Sequence, residues 1–171
     1  MRQAVLIDGS NFYFKLKRLK LEQGKFDFGK FVEWLGGGKQ IQCTYYVGAV
    51  RQEQSRKSQK LYAKQRAFLA GLRNQGIKVE LGYILKGQSY HEKGVDVKIA
   101  IDLVVGAYEN TYDKAPLISS DTDLIPAVEK AISKRKKVEY VGFVDQPSYA
   151  MKRYCSSTKL LGKKDLEKFI V

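Results

Sequence analysis

Residues 115–136 read APLISSDTDLIPAVEKAISKRK, and this stretch decides the fold. APLISS (115–120) is a short apolar run of the kind that builds a buried strand. TDLIPAVEKAISKRK (122–136) has helical spacing, and Asp121 or Thr122 stands where its cap belongs. An acid therefore occupies the junction where a strand ends and a helix begins. Two more aspartates share that setting. Asp8, in VLIDGSN, follows the strand-like QAVLI (3–7). Asp96, in KGVDVKIAID, stands near the start of an apolar segment, 95–110, whose length predicts a buried helix despite its β-branched residues.

Outward from these junctions, strand-like and helix-like patterns alternate along the chain. Residues 10–21 predict a helix capped by Ser10 or Asn11, and 26–35 a short helix ended by Gly36-Gly37-Gly38. Residues 40–50 and 77–85 predict strands. Between them, 55–75 has helical spacing at Leu61, Ala63, Ala67, Phe68, Leu69 and Leu72. KGQSYHEKG (86–94) reads as a polar loop and KVEYVGF (137–143) as a strand. The tail predicts a short helix near 147–154, a brief strand and a final turn. This βαβ alternation, without a composition break, predicts one α/β domain over 1–171: a mostly parallel sheet with helices on both faces.

Composition narrows the partners. The 171 residues carry 31 Lys+Arg against 18 Asp+Glu, a formal charge of +13. Such an excess favours a polyanion through phosphate neutralisation and counterion release. No apolar run is long enough to span a bilayer, and Met1 leads into a strand without a signal peptide. Cys43 and Cys155 lack a second cysteine or histidine at metal spacing, so zinc chemistry is disfavoured and a reducing cytoplasm is expected.

The carboxyl ends of parallel strands share one edge of a sheet, so Asp8, Asp96 and Asp121 can converge. Converging carboxylates repel unless a hard cation lies between them. The expected centre binds Mg²⁺ or Mn²⁺ through those three acids. Asp123, two residues beyond Asp121, is a further acid in reach, and Asp102, about 120° round the helix from Asp96, joins only if it reaches in from a neighbouring face. Asn11 and Ser10 follow Asp8 on the same turn, and Ser120 and Thr122 flank Asp121. Each residue also has a plain structural job open to it: Asp121, Asp96, Thr122 or Asn11 as a helix cap, Asp8 as a turn former.

IDGSN (7–11), KGVDVKIAIDLV (93–104) and ISSDTDLIPAVEKA (118–131), in that order, resemble the NYN domain, a branch of the PIN-like nucleases. The C-terminal LLGKKDLEKFI is similar to the closing segment of that family. The resemblance implies a PIN-like three-layer α/β/α sandwich and metal-dependent endonucleolytic cleavage of RNA, leaving 5′-phosphate and 3′-hydroxyl ends. It maps the catalytic acids onto Asp8, Asp96 and Asp121, with Asp123 nearby and Asn11 as a polar supporter. Ser120 departs from it, since many relatives carry glycine before the first aspartate of this motif.

Cations gather around the expected edge. Arg51 follows the second strand, and Arg56, Lys60 and Lys64 repeat every four residues as one helical stripe that can track a phosphate backbone. Lys93 precedes Asp96. With Ser10 and Ser120, the residues Arg51, Arg56, Lys60 and Lys93 are the expected substrate contacts. Tyr13, Tyr46 and Tyr90 are candidates to stack on unpaired bases. Strand alternation requires Tyr45 or Tyr46 to face inward. His91 is the only histidine and a candidate general acid. Two rival readings remain: an RNA-binding regulatory module without catalysis, and a small-molecule phosphohydrolase, which would leave the charge unexplained. DGSN is no dinucleotide loop. The sequence leaves DNA open beside RNA, and a homodimer open as the assembly.

Overall fold

The computed structural model describes residues 1–37, 40–49, 55–85 and 91–171, with residues 83–85 and 91–93 described by backbone alone. Seven strands, β1 (Gln3–Asp8), β2 (Ile41–Gly48), β3 (Lys78–Leu85), β4 (His91–Lys93), β5 (Lys114–Ile118), β6 (Lys137–Phe143) and β7 (Ser157–Leu161), form one sheet in the order β4-β3-β2-β1-β5-β6-β7. All neighbours pair in parallel except β4, which runs antiparallel on β3 at the edge. The chain builds outward from β1 to β3, then returns to the far side of β1 with β5. The strand order thus reverses between β1 and β5, where open α/β sheets hold their ligands at the carboxyl ends.

Helices cover both faces. Phe12 and Leu16 of α1 (Gly9–Arg18), Phe28 and Phe31 of α2 (Phe28–Gly36), and Leu69 and Leu72 of α3 (Arg56–Asn74) pack over Val5 and Ile7 of β1. On the other face lie α4 (Val95–Tyr108), α5 (Ile125–Ser133) and Met151 of α6 (Tyr149–Tyr154), against Leu6 and Tyr46. A short α7 (Lys163–Glu167) adds Leu166 to the first face. The result is the three-layer α/β/α sandwich with a mostly parallel sheet that the sequence predicts. A sheet buried on both faces erases hydrophobic alternation. Tyr45 and Tyr46 are therefore both buried, in opposite cores. That corrects the expectation that Tyr46 is free to stack on a base.

Other local expectations shift for identifiable reasons. Asp8, not Ser10 or Asn11, caps α1, which begins at Gly9. Residues 122–136 divide into a 3₁₀ turn, Thr122–Leu124, and α5, whose first turn holds Pro126, a residue suited there because its missing N–H is not needed. His91–Lys93 extends the sheet instead of lying in a loop. In α3 only Leu69 and Leu72 are buried, and Leu61, expected on the apolar face, is 51% exposed. The first half of α3 therefore stands clear of the core.

The amino end of β1 is fastened to the start of β5. Asp113 accepts the backbone N–H of Arg2 at 2.7 Å and its guanidinium at 2.9 Å. These bonds hold the Asp113 carboxyl down at about 2. Its folded-state value is depressed, so its contribution is present above the ordinary carboxylate range and lost as pH falls from roughly 4 to 2. Thermal melts of the wild type and Asp113→Asn should therefore differ most at neutral pH and converge across that window. A constant gap down to low pH refutes this role.

Candidate metal centre

Asp8 ends β1 in extended conformation and accepts the N–H of Asn11 at 3.0 Å. Its other oxygen accepts the Ser119 hydroxyl at 2.8 Å, and Ser119 Oγ in turn accepts the N–H of Asp121 at 3.2 Å. One buried hydroxyl thus joins the ends of β1 and β5 at the switch point. Burial pushes the Asp8 carboxyl up; its two hydrogen bonds oppose that, and the charges of Asp121 and Asp96 add to it. The two neighbouring acids are close enough to be felt at Asp8.

Asp121 caps the 3₁₀ turn by accepting the N–H of Asp123 at 2.9 Å, so it does perform the capping job open to it. Asp96 does not. Gly94, in the left-handed conformation at φ 86°, is the N-cap of α4, and Asp96 lies in the first turn with no side-chain hydrogen bond among the described residues. Asp96, Asp121 and Asp123 each place a carboxylate oxygen within 4.8 Å of the other two. Asp8 lies outside that group of three, linked to it by Ser119 and by charge.

The remaining candidates separate. Asn11 is half-buried beside Asp8, and its Oδ1 is buried with no hydrogen-bond partner among the described residues. Ser10 is half-buried in the first turn of α1. The Ser120 hydroxyl pairs with Tyr140 Oη at 3.0 Å. Asp102 accepts the Tyr46 hydroxyl at 2.7 Å, and burial together with this bond raises the Tyr46 pKa. Arg56, Lys60 and Lys64 are exposed on α3. Arg51, Tyr90 and the side chains of Lys93 and His91 lie outside the described residues.

Ser119 is the residue the sequence reading passed over. The signal was the doubled serine of ISSD: adjacent residues in extended chain point to opposite faces, so one serine had to face away from the other. Ser119 takes the acids and Ser120 takes Tyr140.

Among the described residues the grouped donors are carboxylates, without His or Cys, and the buried Asn11 amide oxygen lies in the helical turn that Asp8 caps. Hard oxygen donors suit Mg²⁺ or Mn²⁺ and do not suit soft metals. Three carboxylates drawn together are destabilising unless neutralised, and an unpartnered buried amide oxygen is costly without a donor or cation. The residues present fit a hard divalent ion.

An α/β/α sandwich with acids gathered at its switch point is consistent with the PIN-like class. The family model of the NYN domain matches residues 2–161 of this chain, and the chain belongs to the NYN domain family, a branch of the PIN-like nucleases. The curated proteins contain no match to it. Among the described residues, no helix is long and apolar enough to cross a membrane.

Proposed function

We propose that this protein is a divalent-metal-dependent endoribonuclease hydrolysing RNA phosphodiester bonds. The observation that carries the reading is the approach of Asp96, Asp121 and Asp123 within 4.8 Å beside Asp8 in a chain of net charge +13. Asp8, Asp96 and Asp121, with Asp123, would hold Mg²⁺ or Mn²⁺, which when bound supplies charge neutralisation on the phosphoryl oxygens and a more acidic water. Ser119 fixes Asp8 and the Asp121 backbone, so the ends of β1 and β5 keep one spacing. Asn11 positions Asp8 through its N–H and contributes an amide oxygen. The exposed cations Arg56 and Lys60 supply sequence-independent attraction for the phosphate backbone, and Arg51, Lys93, Ser10 and Ser120 complete the proposed substrate contacts. The whole of 1–171 acts as one unit in this reading, in the cytoplasm.

Incubation of the purified protein with end-labelled RNA in Mg²⁺, Mn²⁺ or EDTA tests it. The expected result is internal cleavage with either metal, none in EDTA, and 5′-phosphate products. Tight RNA binding without cleavage in any metal would favour the non-catalytic regulatory module, and faster cleavage of DNA of the same sequence would reassign the substrate.

Ser119→Ala should lower metal-dependent cleavage by about 10–100-fold, the usual cost of losing a group that orients metal ligands. It should also destabilise the fold by about 1 kcal/mol, because the half-buried Asp121 N–H loses its partner. The corresponding check is a manganese titration of activity beside a urea melt. A variant with wild-type activity at limiting manganese would remove Ser119 from the centre.

A further inference from the structure

The outward face of α1 carries features that the folding of the domain does not use. Tyr13 is 41% and Phe14 64% exposed, and their rings meet edge to face at 5.4 Å. Lys17 and Arg18 stand one turn further on, at i+4 from each ring, where helical residues are neighbours. Lys17 forms no ion pair among the described residues, and Arg18 is held by Asp145 at 2.9 Å. The stripe begins at the helix whose N-cap is Asp8, and from Ser10 to Lys17 it covers about 10 Å at 1.5 Å per residue.

A further exposed ring lies on α6. Tyr149, the first residue of α6, is 79% exposed with Lys152 Nζ at 5.7 Å from its centroid. Tyr140 Oη pairs with Ser120 Oγ at 3.0 Å and accepts the Ser148 N–H at 2.9 Å. Tyr149 therefore follows a residue only two hydrogen bonds from the serine before Asp121. The residues just before α6 are tied to α1, since Gln146 accepts from Lys15 at 3.2 Å and from Arg18 at 2.7 Å.

We propose that Tyr13, Phe14 and Tyr149 are stacking platforms for unpaired bases of the RNA, and that Lys17 and Lys152 hold phosphates beside them. This rests on the endoribonuclease reading for what happens to the strand, and not for the binding itself. Exposed rings interleaved with cations are the two elements that grip unpaired strands, because every base has a π-face and every phosphate a charge. A duplex keeps its bases stacked on one another and offers such rings only its backbone.

The test is fluorescence anisotropy in EDTA, with a short labelled single-stranded RNA and its blunt duplex, followed by cleavage of the single strand in Mn²⁺. Tyr13→Ala/Phe14→Ala should lose about tenfold or more in single-strand affinity, with duplex affinity and the salt slope unchanged because the phosphate contacts remain. Tyr149→Ala should show the same selectivity, whereas Tyr13→Phe/Tyr149→Phe, which keeps the rings, should bind as the wild type does. Thermal melts confirm folding of each variant. Undiminished single-strand affinity in the alanine variants, or an equal loss on the duplex, overturns the proposal. Ring-dependent binding by a wild type that cleaves no RNA in either metal would sink the nuclease and keep the platforms. Cleavage with ring-independent binding would do the reverse.

Discussion

Asp96→Asn is expected to abolish metal-dependent RNA cleavage, by about 10²-fold or more, while leaving the metal-free protein at least as stable as the wild type. The activity loss follows from removing one of three carboxylates that lie within 4.8 Å of one another; the several kcal/mol that a metal contributes to charge stabilisation corresponds to decades in rate. The stability half follows from what Asp96 does not do. It caps nothing, since Gly94 holds that position, and its side chain makes no hydrogen bond among the described residues. Its charge adds to the repulsion felt at Asp8. An amide of the same shape relieves that repulsion and gives up only a modest helix-dipole interaction. Manganese separates the two effects. At about a hundred times its Kd, a ligand that binds only the folded state adds about 2.7 kcal/mol, which for a chain of this size raises Tm by about 5–10 °C. The wild type should show that rise and Asp96→Asn should show little of it. A variant that still cleaves, or one whose Tm climbs with manganese as the wild type's does, removes Asp96 from the centre.

The strand–helix junctions were legible because an acid at the end of an apolar run marks where a helix is capped, as Asp8 and Asp121 do, and the ends of parallel strands share one edge. What the sequence could not display is set by burial and by pleat. Tyr45 and Tyr46 read as one inward and one outward residue, yet helices lie over both faces of β2, and continuous burial carries no period. Leu61, Ala63 and Ala67 share helical spacing with Leu69 and Leu72, but the first half of α3 runs past the core; periodicity reports a face and says nothing of where its partner ends. The sequence leaves the role of Asp102 open, and the structure shows it accepting the hydroxyl of Tyr46, a partner far away in sequence. Ser119 was hidden beside Ser120: the two follow the last residue of β5 and part to different partners, Asp8 and Tyr140.

Gly9→Ala should damage both stability and activity, and for one reason. A Cβ at Gly9 would lie 2.5 Å from Tyr45 Cε1 and 2.6 Å from the Tyr46 carbonyl oxygen, well inside contact distance. The ring of Tyr45 is fixed in the aromatic core, against Phe28 and Phe68, and donates its hydroxyl to the Gly9 carbonyl at 3.3 Å. The Tyr46 carbonyl belongs to β2, whose residues Tyr45 and Tyr46 lie opposite Ile7 and Asp8 in the parallel ladder. Neither neighbour can retreat cheaply, so the start of α1 must move instead, taking with it Asp8 and Asn11. Overpacking of this kind costs about 1–3 kcal/mol, occasionally more, and cleavage should fall with it because a shift of about 1 Å at a catalytic group can cost 10²-fold. Gly71→Ala supplies the contrast. Gly71 is within α3 with nothing within 4 Å of its would-be Cβ, so alanine there should stabilise by about 0.5–1 kcal/mol through helix propensity. Urea melts of the two variants should therefore move in opposite directions from the wild type. If Gly9→Ala melts with the wild type and cleaves at its rate, the close approach of α1 to β2 does not position Asp8.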